Sequence, residues 1–324
     1  MAEATYSATI AATLAAAMRL DERVVVFGED VALGGPYLTT KGLAEEFGTA
    51  RVVNTPISEA AICGVAIGAA QSGLRPVVEI MFIDFIGLAL DQLVNGAAKA
   101  HFMSGGQLSV PMVLRTQGGA GQRGAAQHSQ SLESWLTHVP GLKVVVPSSA
   151  REVAALLPSA LADPNPVVVV ESKTLYFRRE TLPDEGVPVE PLGRARVLRQ
   201  GSHVTVVATS RMVHEAIEAA ARLAEGGIEA EVIDPRTLVP LDLATIAASV
   251  SRTGRLVIAH EAVGNGGFGA EIAAEVQEAC FYDLDAPIAR VGAPFTPVPL
   301  SPPLEDAYLP GAAEIAEAVR RVLG

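Results

Sequence analysis

Short apolar runs alternate with amphipathic stretches along the first half of the chain. Tyr6, Ile10, Leu14 and Met18 recur at every fourth residue, which predicts one face of a helix. Apolar runs rich in valine and isoleucine predict strands over residues 24–27, 52–53, 76–82, 111–115, 142–146 and 166–170. Helical patterns lie between them over residues 60–72, 87–103 and 150–162, and we expect the last to kink or end at Pro158. Apolar strands separated by helices predict a mostly parallel sheet covered on both faces.

The pattern is interrupted and then resumes in the second half of the chain. Three prolines and several acidic residues between residues 178 and 194 predict an extended linker. The strand pattern returns over residues 204–208, 230–233, 256–259 and 288–291, and the helical pattern over 213–224, 243–250, 270–279 and 312–323. The five prolines within residues 294–303 predict a loop. The predicted class is therefore α/β, with a sheet domain over residues 1–177, a linker over 178–194 and a smaller α/β domain over 195–324.

Composition narrows the possible classes of protein. Apolar residues make up 49% of the 324 residues and charged residues 19%, which is typical of a globular chain. The net charge of −12, without any basic cluster, excludes non-specific nucleic-acid binding. Cys63 and Cys280 lie far apart, which excludes a disulfide framework and fits a reducing compartment. Because we find neither an apolar run of about 18–20 residues nor a signal-peptide pattern, we expect a cytoplasmic protein without a membrane partner.

Two Gly-x-Gly-x-x-Gly strings raise the alternative of a dinucleotide site. Residues 119–124 precede polar residues rather than a helix, whereas residues 264–269 lie between a predicted strand and a helix. A dinucleotide site also needs an acidic residue at the end of the next strand, but Asp283 and Asp285 precede that strand. Tight loop turns are the preferred interpretation of both strings. The sequence contains no P-loop, His-Glu-x-x-His or Gly-x-Ser-x-Gly motif.

Glu59 is the one charged residue within residues 54–73. Pro56 restrains the residue before it to extended geometry, so a helix begins after it, with Ser58 as the predicted N-cap. Phe85 and His128 also follow predicted strands, and ligands of open α/β proteins bind at the carboxyl ends of strands. Taken singly, Phe85 is better interpreted as a core residue, and His128 is ambiguous. Together, a carboxylate, an aromatic ring and a histidine at one sheet edge favour a site.

An ordered set of short motifs runs through almost the whole chain. They are Gly28-Glu-Asp-Val31, Thr55-Pro-Ile-Ser-Glu59, Gly73-Leu-Arg-Pro76, Asp91-Gln92, Ala126-Gln-His-Ser-Gln130, Pro140-Gly-Leu-Lys-Val-Val145, Asn165-Pro-Val-Val168, Val232-Ile-Asp-Pro-Arg-Thr237 and Thr253-Gly-Arg255. With these motifs the sequence resembles the β subunits of the thiamine-diphosphate-dependent component of 2-oxo acid dehydrogenase complexes, a family that includes acetoin dehydrogenase β subunits. The resemblance implies a pyrimidine-binding domain followed by a domain similar to the transketolase C-terminal domain.

The resemblance implies a role for four residues of this chain. Glu59 would hydrogen-bond N1′ of the cofactor's aminopyrimidine and favour the tautomer that removes the proton from C2 of the thiazolium ring. Phe85 would pack on the aminopyrimidine, and Ile57 would line the same pocket. His128 would face the substrate channel and donate a proton when the acyl group passes to a lipoyl group.

A structural potassium ion is a second implication of the resemblance. The family binds it mostly through backbone carbonyl oxygens, at positions that correspond here to Met112, Ala160, Leu161, Asp163 and Asn165. Pro164 replaces the residue that is usual in the family at that turn. A plain Asp–Asn turn before a strand is the alternative interpretation.

The partners also follow from the resemblance. The family holds the cofactor's diphosphate through Mg²⁺ with a Gly-Asp-Gly motif, and this sequence contains no Gly-Asp-Gly. An α subunit would therefore supply that half of the site in an α2β2 heterotetramer, and a lipoyl-bearing acyltransferase would receive the acyl group. Residues 81–85, 119–128 and 293–299 are closer to acetoin- and pyruvate-type chains than to branched-chain ones, which remain the alternative substrate class.

Two hypotheses of other classes remain open from the sequence. The chain is either a non-catalytic assembly subunit that keeps the fold, or a stand-alone NAD oxidoreductase that uses residues 264–269. The presence of Glu59, Phe85 and His128 argues against the first hypothesis. The position of the second glycine string, late in the chain rather than in the first strand–helix–strand unit, argues against the second.

Overall fold

The computed structural model describes residues 2–324, and for residue 2 it describes the backbone only. The elements up to residue 182 are β1 (Ala2–Thr5), α1 (Tyr6–Leu20), β2 (Val24–Gly28), α2 (Leu43–Phe47), β3 (Val52–Asn54), α3 (Glu59–Gln71), β4 (Arg75–Ile80), α4 (Ile86–Asp91), α5 (Ala98–Met103), β5 (Val113–Gly118), α6 (Glu133–Thr137), β6 (Lys143–Val145), α7 (Ala150–Ala162), β7 (Val167–Ser172) and β8 (Arg179–Leu182). The later elements are β9 (Arg196–Arg199), β10 (Val204–Ala208), α8 (Met212–Ala224), β11 (Ala230–Asp234), β12 (Thr237–Val239), α9 (Leu243–Thr253), β13 (Leu256–Val263), α10 (Gly269–Cys280), β14 (Ala289–Ala293), α11 (Pro302–Tyr308) and α12 (Ala312–Leu323).

The chain forms two compact units. The first comprises the residues up to Gly118 together with Trp135–Leu192, and the second comprises Gly119–Ser134 together with Gly193–Gly324. The segment from Gly119 to Ser134 therefore leaves the first unit at the end of β5 and folds with the second unit.

A parallel sheet lies at the centre of the first unit. Its strands lie in the order β6–β7–β5–β4–β2–β3, and each neighbouring pair is parallel, which confirms the predicted class. β3 lies on one side of β2 and β4 on the other, so the order of the strands reverses at β2. In open α/β sheets such a reversal leaves a crevice at the carboxyl ends of the strands, where ligands bind. The loops that follow β2, β3 and β4 share that edge.

Helices α1 and α7 cover one face of this sheet. The predicted apolar positions of α1, including Tyr6 and Leu14, are buried with the strand valines in one core. α7 does not end at Pro158 but continues to Ala162. A proline inside a helix removes one backbone hydrogen bond. Burial of Leu157 and Leu161 on either side of the proline offsets that loss, because both side chains pack into the same core.

The helix predicted over residues 87–103 is continuous but irregular. α4 and α5 are joined by a π-helical segment, Gln92–Ala97. This segment packs closely against α3 at Gly96, where a Cβ atom would lie 3.0 Å from Cδ1 of Ile67. This close packing fixes the position of α3 relative to α4. It therefore also fixes the position of the first turn of α3.

The second unit has its own sheet, in the order β14–β13–β10–β11–β9. Its strands are parallel except for β9, an edge strand antiparallel to β11 that the sequence pattern did not predict. α8 and α12 pack on one face in a core that includes Met212 and Ile315. The smaller α/β domain predicted for the second half is confirmed.

Part of the predicted linker is a strand. β8 pairs antiparallel with β1, from Ala2 opposite Leu182 to Thr5 opposite Arg179. Over residues 2–324, we find no helix with the length and apolar character needed to cross a membrane.

Candidate active site

Glu59 is the first residue of α3, and its side chain is only 7% exposed. Ser58 occupies the N-cap position as predicted, but its hydroxyl makes no capping hydrogen bond. Within residues 2–324, no hydrogen-bond donor or cation contacts the Glu59 carboxyl group. Its oxygen atoms are not sealed within the core, so a ligand bound at this sheet edge can reach them. The start of a helix also favours a negatively charged group there.

Two hydrogen bonds fix the loops that follow β2 and β3 to each other. The N–H of Thr55 donates to the carbonyl oxygen of Gly28 at 3.0 Å, and the N–H of Ala32 donates to Oδ1 of Asn54 at 2.7 Å. The first bond joins the end of β2 to the segment after β3, and the second joins the end of β3 to the segment after β2. Glu29, directly after β2, is thereby held beside the segment that leads to Glu59.

The electrostatics of this edge are dominated by carboxylates. Burial raises the pKa of Glu29, and the negative charges of Glu59 and then Asp30 raise it further. Burial and the charge of Glu59 also raise the pKa of Cys63, one turn along α3, to about 12. Cys63 is therefore an unreactive thiol, because the thiolate is the nucleophilic form. The sequence motif around Glu29 was noted, but its proximity to Glu59 was not predicted.

Aromatic rings lie at the carboxyl end of β4. Phe85 ends a short 3-10 turn before α4, and its ring meets that of Phe82 edge to face, with centroids 6.0 Å apart. Nζ of Lys173 lies 5.5 Å from the centroid of the Phe82 ring, and the lysine is only 1% exposed. Phe85 is partly buried, which leaves part of its ring accessible. Ile57 is 80% exposed in the loop before α3.

A buried ion cluster supports the sheet behind this edge. Arg115 of β5 binds Glu79 of β4 through Nη1 at 2.6 Å and Glu171 of β7 through Nε at 2.8 Å. The hydroxyls of Thr39 and Tyr176 donate to Glu79 and Glu171, respectively. All three charged side chains are at least 94% buried. Periodicity could not reveal this cluster, because the three strands are buried on both faces and have no alternation that marks a polar side.

His128 belongs to the second unit, in the segment from Gly119 to Ser134, and is half-buried. Its prediction as a neighbour of Glu59 and Phe85 therefore stays a prediction. The same segment contains Glu133, at the start of α6. Burial, with a smaller contribution from the negative charge of Glu261, raises the pKa of Glu133 to about 7.

The glycines of the two Gly-x-Gly-x-x-Gly strings make room for protein side chains. A Cβ atom at Gly267 would lie 2.6 Å from Cε1 of His260, and one at Gly269 would lie 2.6 Å from its Cδ2. A Cβ atom at Gly119 would lie 2.6 Å from Oε1 of Glu261. These close approaches explain Gly119, Gly267 and Gly269 without a nucleotide, and the positive φ angles of Gly121 and Gly266 are typical of tight loop turns.

The five residues of the expected potassium site lie at the end of α7 and at the start of β5, within the first unit. The N–H of Val167 donates to the carbonyl oxygen of Met112 at 3.0 Å. Nη1 of Arg75 donates to the carbonyl oxygen of Leu161 at 2.8 Å, and Lys143 forms an ion pair with Asp163. Two positively charged side chains, Arg75 and Lys143, therefore already bind oxygen atoms of the expected potassium site. Over residues 2–324, we find no group of three or more His, Cys, Asp or Glu side chains placed to hold a metal ion.

Comparison with known proteins assigns the two halves of the chain to known domains. Residues 2–178 match the family described as transketolase, pyrimidine binding domain, and residues 193–315 match transketolase, C-terminal domain. A solved structure described as a split gene transketolase in an inactive β4 tetramer is similar in fold. It has a TM-score of 0.78 and 25% sequence identity, and the likeness covers 97% of this chain and 96% of that one.

Curated relatives match over nearly the full chain. The β subunit of acetoin:2,6-dichlorophenolindophenol oxidoreductase from Bacillus subtilis is 48% identical over 95% of this chain and 94% of its own length. The corresponding subunit from Cupriavidus necator is 46% identical, over 94% and 93%. The β subunit of the pyruvate dehydrogenase E1 component from Rhizobium meliloti is 44% identical over 99% of this chain and 70% of its own length.

Proposed function

This chain belongs to the family of transketolase-like β subunits found in pyruvate dehydrogenase E1 components and acetoin oxidoreductases, and from that membership we propose that it is the β subunit of such a thiamine-diphosphate-dependent dehydrogenase. It would act in the oxidative decarboxylation of a 2-oxo acid or in the parallel cleavage of acetoin. The relatives quoted above favour these two substrate classes over branched-chain 2-oxo acids.

The observation that carries this proposal is the position of Glu59 at the start of α3, in a residue that is only 7% exposed and whose carboxyl group has no hydrogen-bond donor among residues 2–324. Thiamine diphosphate, when bound, supplies the nucleophilic carbon of its thiazolium ring. Glu59 would exchange a proton with N1′ of the aminopyrimidine, a contact that supplies the missing partner of the carboxyl group. The accessible part of the Phe85 ring offers a flat apolar surface for the same ring system, and Ile57 offers apolar surface in the loop before α3.

His128 would act at the second half of the reaction. When the acyl group is transferred to a lipoyl disulfide, the sulfur–sulfur bond breaks and one sulfur takes the acyl group. The other sulfur leaves as a thiolate and takes a proton, which we assign to His128 as donor. An artificial oxidant removes two electrons without needing that proton, so the two reactions separate the role of His128 from that of Glu59.

We propose two protein partners. An α subunit would bind the diphosphate and its Mg²⁺ and complete an α2β2 heterotetramer, and a lipoyl-bearing acyltransferase would take the acyl group. The β-subunit names of the relatives support an α partner. The free, buried thiols Cys63 and Cys280 are consistent with a cytoplasmic location.

Potassium remains a proposal with a specific difficulty. The expected site combines residues 160–165, at the end of α7, with Met112, before β5, and Arg75 and Lys143 already bind the carbonyl oxygen of Leu161 and the carboxylate of Asp163. We expect a bound potassium ion to require rotation of at least one of these side chains. Replacing K⁺ by choline at constant ionic strength should then lower the thermal midpoint, and an unchanged midpoint would contradict the proposal.

Reconstitution tests the proposed function. The chain is purified alone and together with an α subunit that carries Gly-Asp-Gly, and reduction of 2,6-dichlorophenolindophenol is measured with pyruvate and with acetoin. We expect activity only in the reconstituted complex and only with thiamine diphosphate and Mg²⁺. NAD-dependent activity of the chain alone would contradict the proposal and support the oxidoreductase alternative. A stable complex without any activity would support the assembly-subunit alternative.

A further inference from the structure

The loop that follows β5 has an unusual backbone. Gly119, Gly121, Arg123 and Ala125 alternate along the chain and all have positive φ angles, of 90°, 94°, 59° and 56°. Residues other than glycine are rarely found in this conformation, because their Cβ atom crowds the backbone there. Arg123 and Ala125 therefore need strong contacts that keep them there. The N–H groups of Gly121 and Arg123 are directed to one carboxylate, as in backbone concavities that bind negatively charged groups.

A carboxylate of the second unit fills that concave backbone. Glu305, in the first turn of α11, is 0% exposed. Oε1 of Glu305 accepts the N–H of Gly121 at 2.8 Å, and Oε2 accepts the N–H of Arg123 at 3.1 Å and Nη1 of Arg123 at 2.6 Å. Arg123 also donates to Oδ1 of Asp306 at 2.7 Å and to the carbonyl oxygen of Pro302 at 3.1 Å. Glu305 thus holds the loop by charge-assisted hydrogen bonds to Gly121 and Arg123.

A second carboxylate holds the start of the loop. Glu261, near the end of β13, accepts the N–H of Ala120 and binds Nε of Arg211 at 2.7 Å. The close approach of Glu261 leaves no space for a side chain at position 119, which is why glycine stands there. Glu261 and Glu305 each have an arginine partner, so neither is an isolated buried charge.

We propose that Glu305, with Glu261, is a positioning residue that sets the place of His128. The segment from Arg123 to His128 is short and tightly packed. A Cβ atom at Gly124 would lie 2.8 Å from the carbonyl oxygen of His128, and the N–H of His128 donates to the carbonyl oxygen of Ala125 at 3.4 Å. A shift of the backbone at Arg123 therefore moves His128. This inference rests on the proposed role of His128 as the proton donor in acyl transfer.

The test uses the complex with the α subunit and two measurements. Amide hydrogen exchange of residues 119–128 reports the loop itself, and the ratio of lipoamide-dependent activity to activity with the artificial oxidant reports the placement of His128. Glu305→Gln keeps the shape of the side chain and removes its charge. We expect exchange in the loop to become about 10- to 100-fold faster and the activity ratio to fall about tenfold.

Asp242→Asn is the matched control. Asp242 also binds backbone, accepting the N–H groups of Ala195 and Thr245 at 2.9 and 3.1 Å within the second unit, but it makes no contact with the loop. We expect this variant to leave both loop exchange and the activity ratio unchanged. If Glu305→Gln does not assemble, Arg123→Ala takes its place, because Arg123 is partly exposed and Glu305 then keeps its backbone donors. A change in the same direction is expected for it.

Three results would overturn the inference, and they are distinguishable from one another. Unchanged exchange in Glu305→Gln would show that the carboxylate does not hold the loop. Faster exchange with an unchanged activity ratio, in a complex where His128→Ala does lower the ratio, would show that the loop does not position His128. An unchanged ratio in His128→Ala itself would contradict the proposed role of His128 and remove the basis of the inference.

Discussion

Glu29 and Glu59 lie close enough in the first unit for the negative charge of Glu59 to help raise the pKa of Glu29. Glu29 follows β2 and Glu59 follows its neighbour β3, and the bond from Thr55 to Gly28 joins the two loops. Two carboxyl groups at one sheet edge resist carrying two negative charges together. A proton is thus retained at this edge to higher pH than an isolated glutamate would allow.

Glu29→Gln should become relatively more stable than the unmodified protein as the pH rises. Because the pKa of Glu29 is raised in the folded state, its favourable contribution is fully present below the ordinary glutamate pKa and is lost as the pH rises through the raised value. The difference in thermal midpoint, variant minus wild type, should therefore increase from pH 4 to pH 8. A difference that stays constant, or that decreases, would contradict the electrostatic account of this edge.

Arg115→Met should destabilise the protein by about 3–5 kcal/mol, because Glu79 and Glu171 would remain buried without their cation. Arg23→Met is the control, since Arg23 forms an exposed pair with Asp21 and its loss should change the free energy of unfolding far less. Urea unfolding of the purified chains measures both. Equal, small losses would show that the buried cluster does not stabilise the sheet.

Glu133 should titrate near neutrality. Burial and the charge of Glu261 raise its pKa to about 7, so the protonated form predominates below that pH and the carboxylate above it. The infrared difference spectrum between wild type and Glu133→Gln should show a carboxylic acid band that disappears with a midpoint of about 7. A band absent already at pH 5 would mean that the side chain is better hydrated than the structure indicates.

His128→Ala should lower lipoamide-dependent activity by about 100-fold or more, as expected for loss of a proton donor. Activity with 2,6-dichlorophenolindophenol should fall much less, because that oxidant does not need the proton. His138→Ala is the control, since His138 is an exposed histidine of the other unit. Equal losses in both reactions of His128→Ala would assign the residue to an earlier step.

Regular elements of this fold were predictable where local pattern and packing agree. The predicted bounds of α7 and α12, residues 150–162 and 312–323, match the structure, because their apolar faces are continuous. The strand β8 was missed because its pairing with β1 joins residues about 180 positions apart and leaves no local pattern. The prediction that α7 ends at Pro158 was wrong because a proline disfavours a helix locally, whereas burial of the residues on both sides of it keeps this helix intact.

The candidate site was predictable in part for similar reasons. Glu59 was identified because a lone charge in an apolar helix contrasts with its neighbours. The pairing of Glu305 with the loop at Gly121 was not predictable, because the two residues are 184 positions apart. The burial of Arg115, in β5, and of Lys173, directly after β7, was missed because a charged residue is ordinarily interpreted as facing solvent.

The most direct test of the proposed function is the exchange rate of the C2 proton of thiamine diphosphate bound to the complex of this chain with its α subunit. Glu59→Gln should assemble and bind the cofactor but exchange that proton at least about 100-fold more slowly, because the amide cannot transfer a proton to and from N1′. Glu152→Gln, a substitution of another buried carboxylate in the first turn of a helix of the same unit, is the control and should exchange at the wild-type rate. An unchanged exchange rate in Glu59→Gln would contradict the role assigned to Glu59.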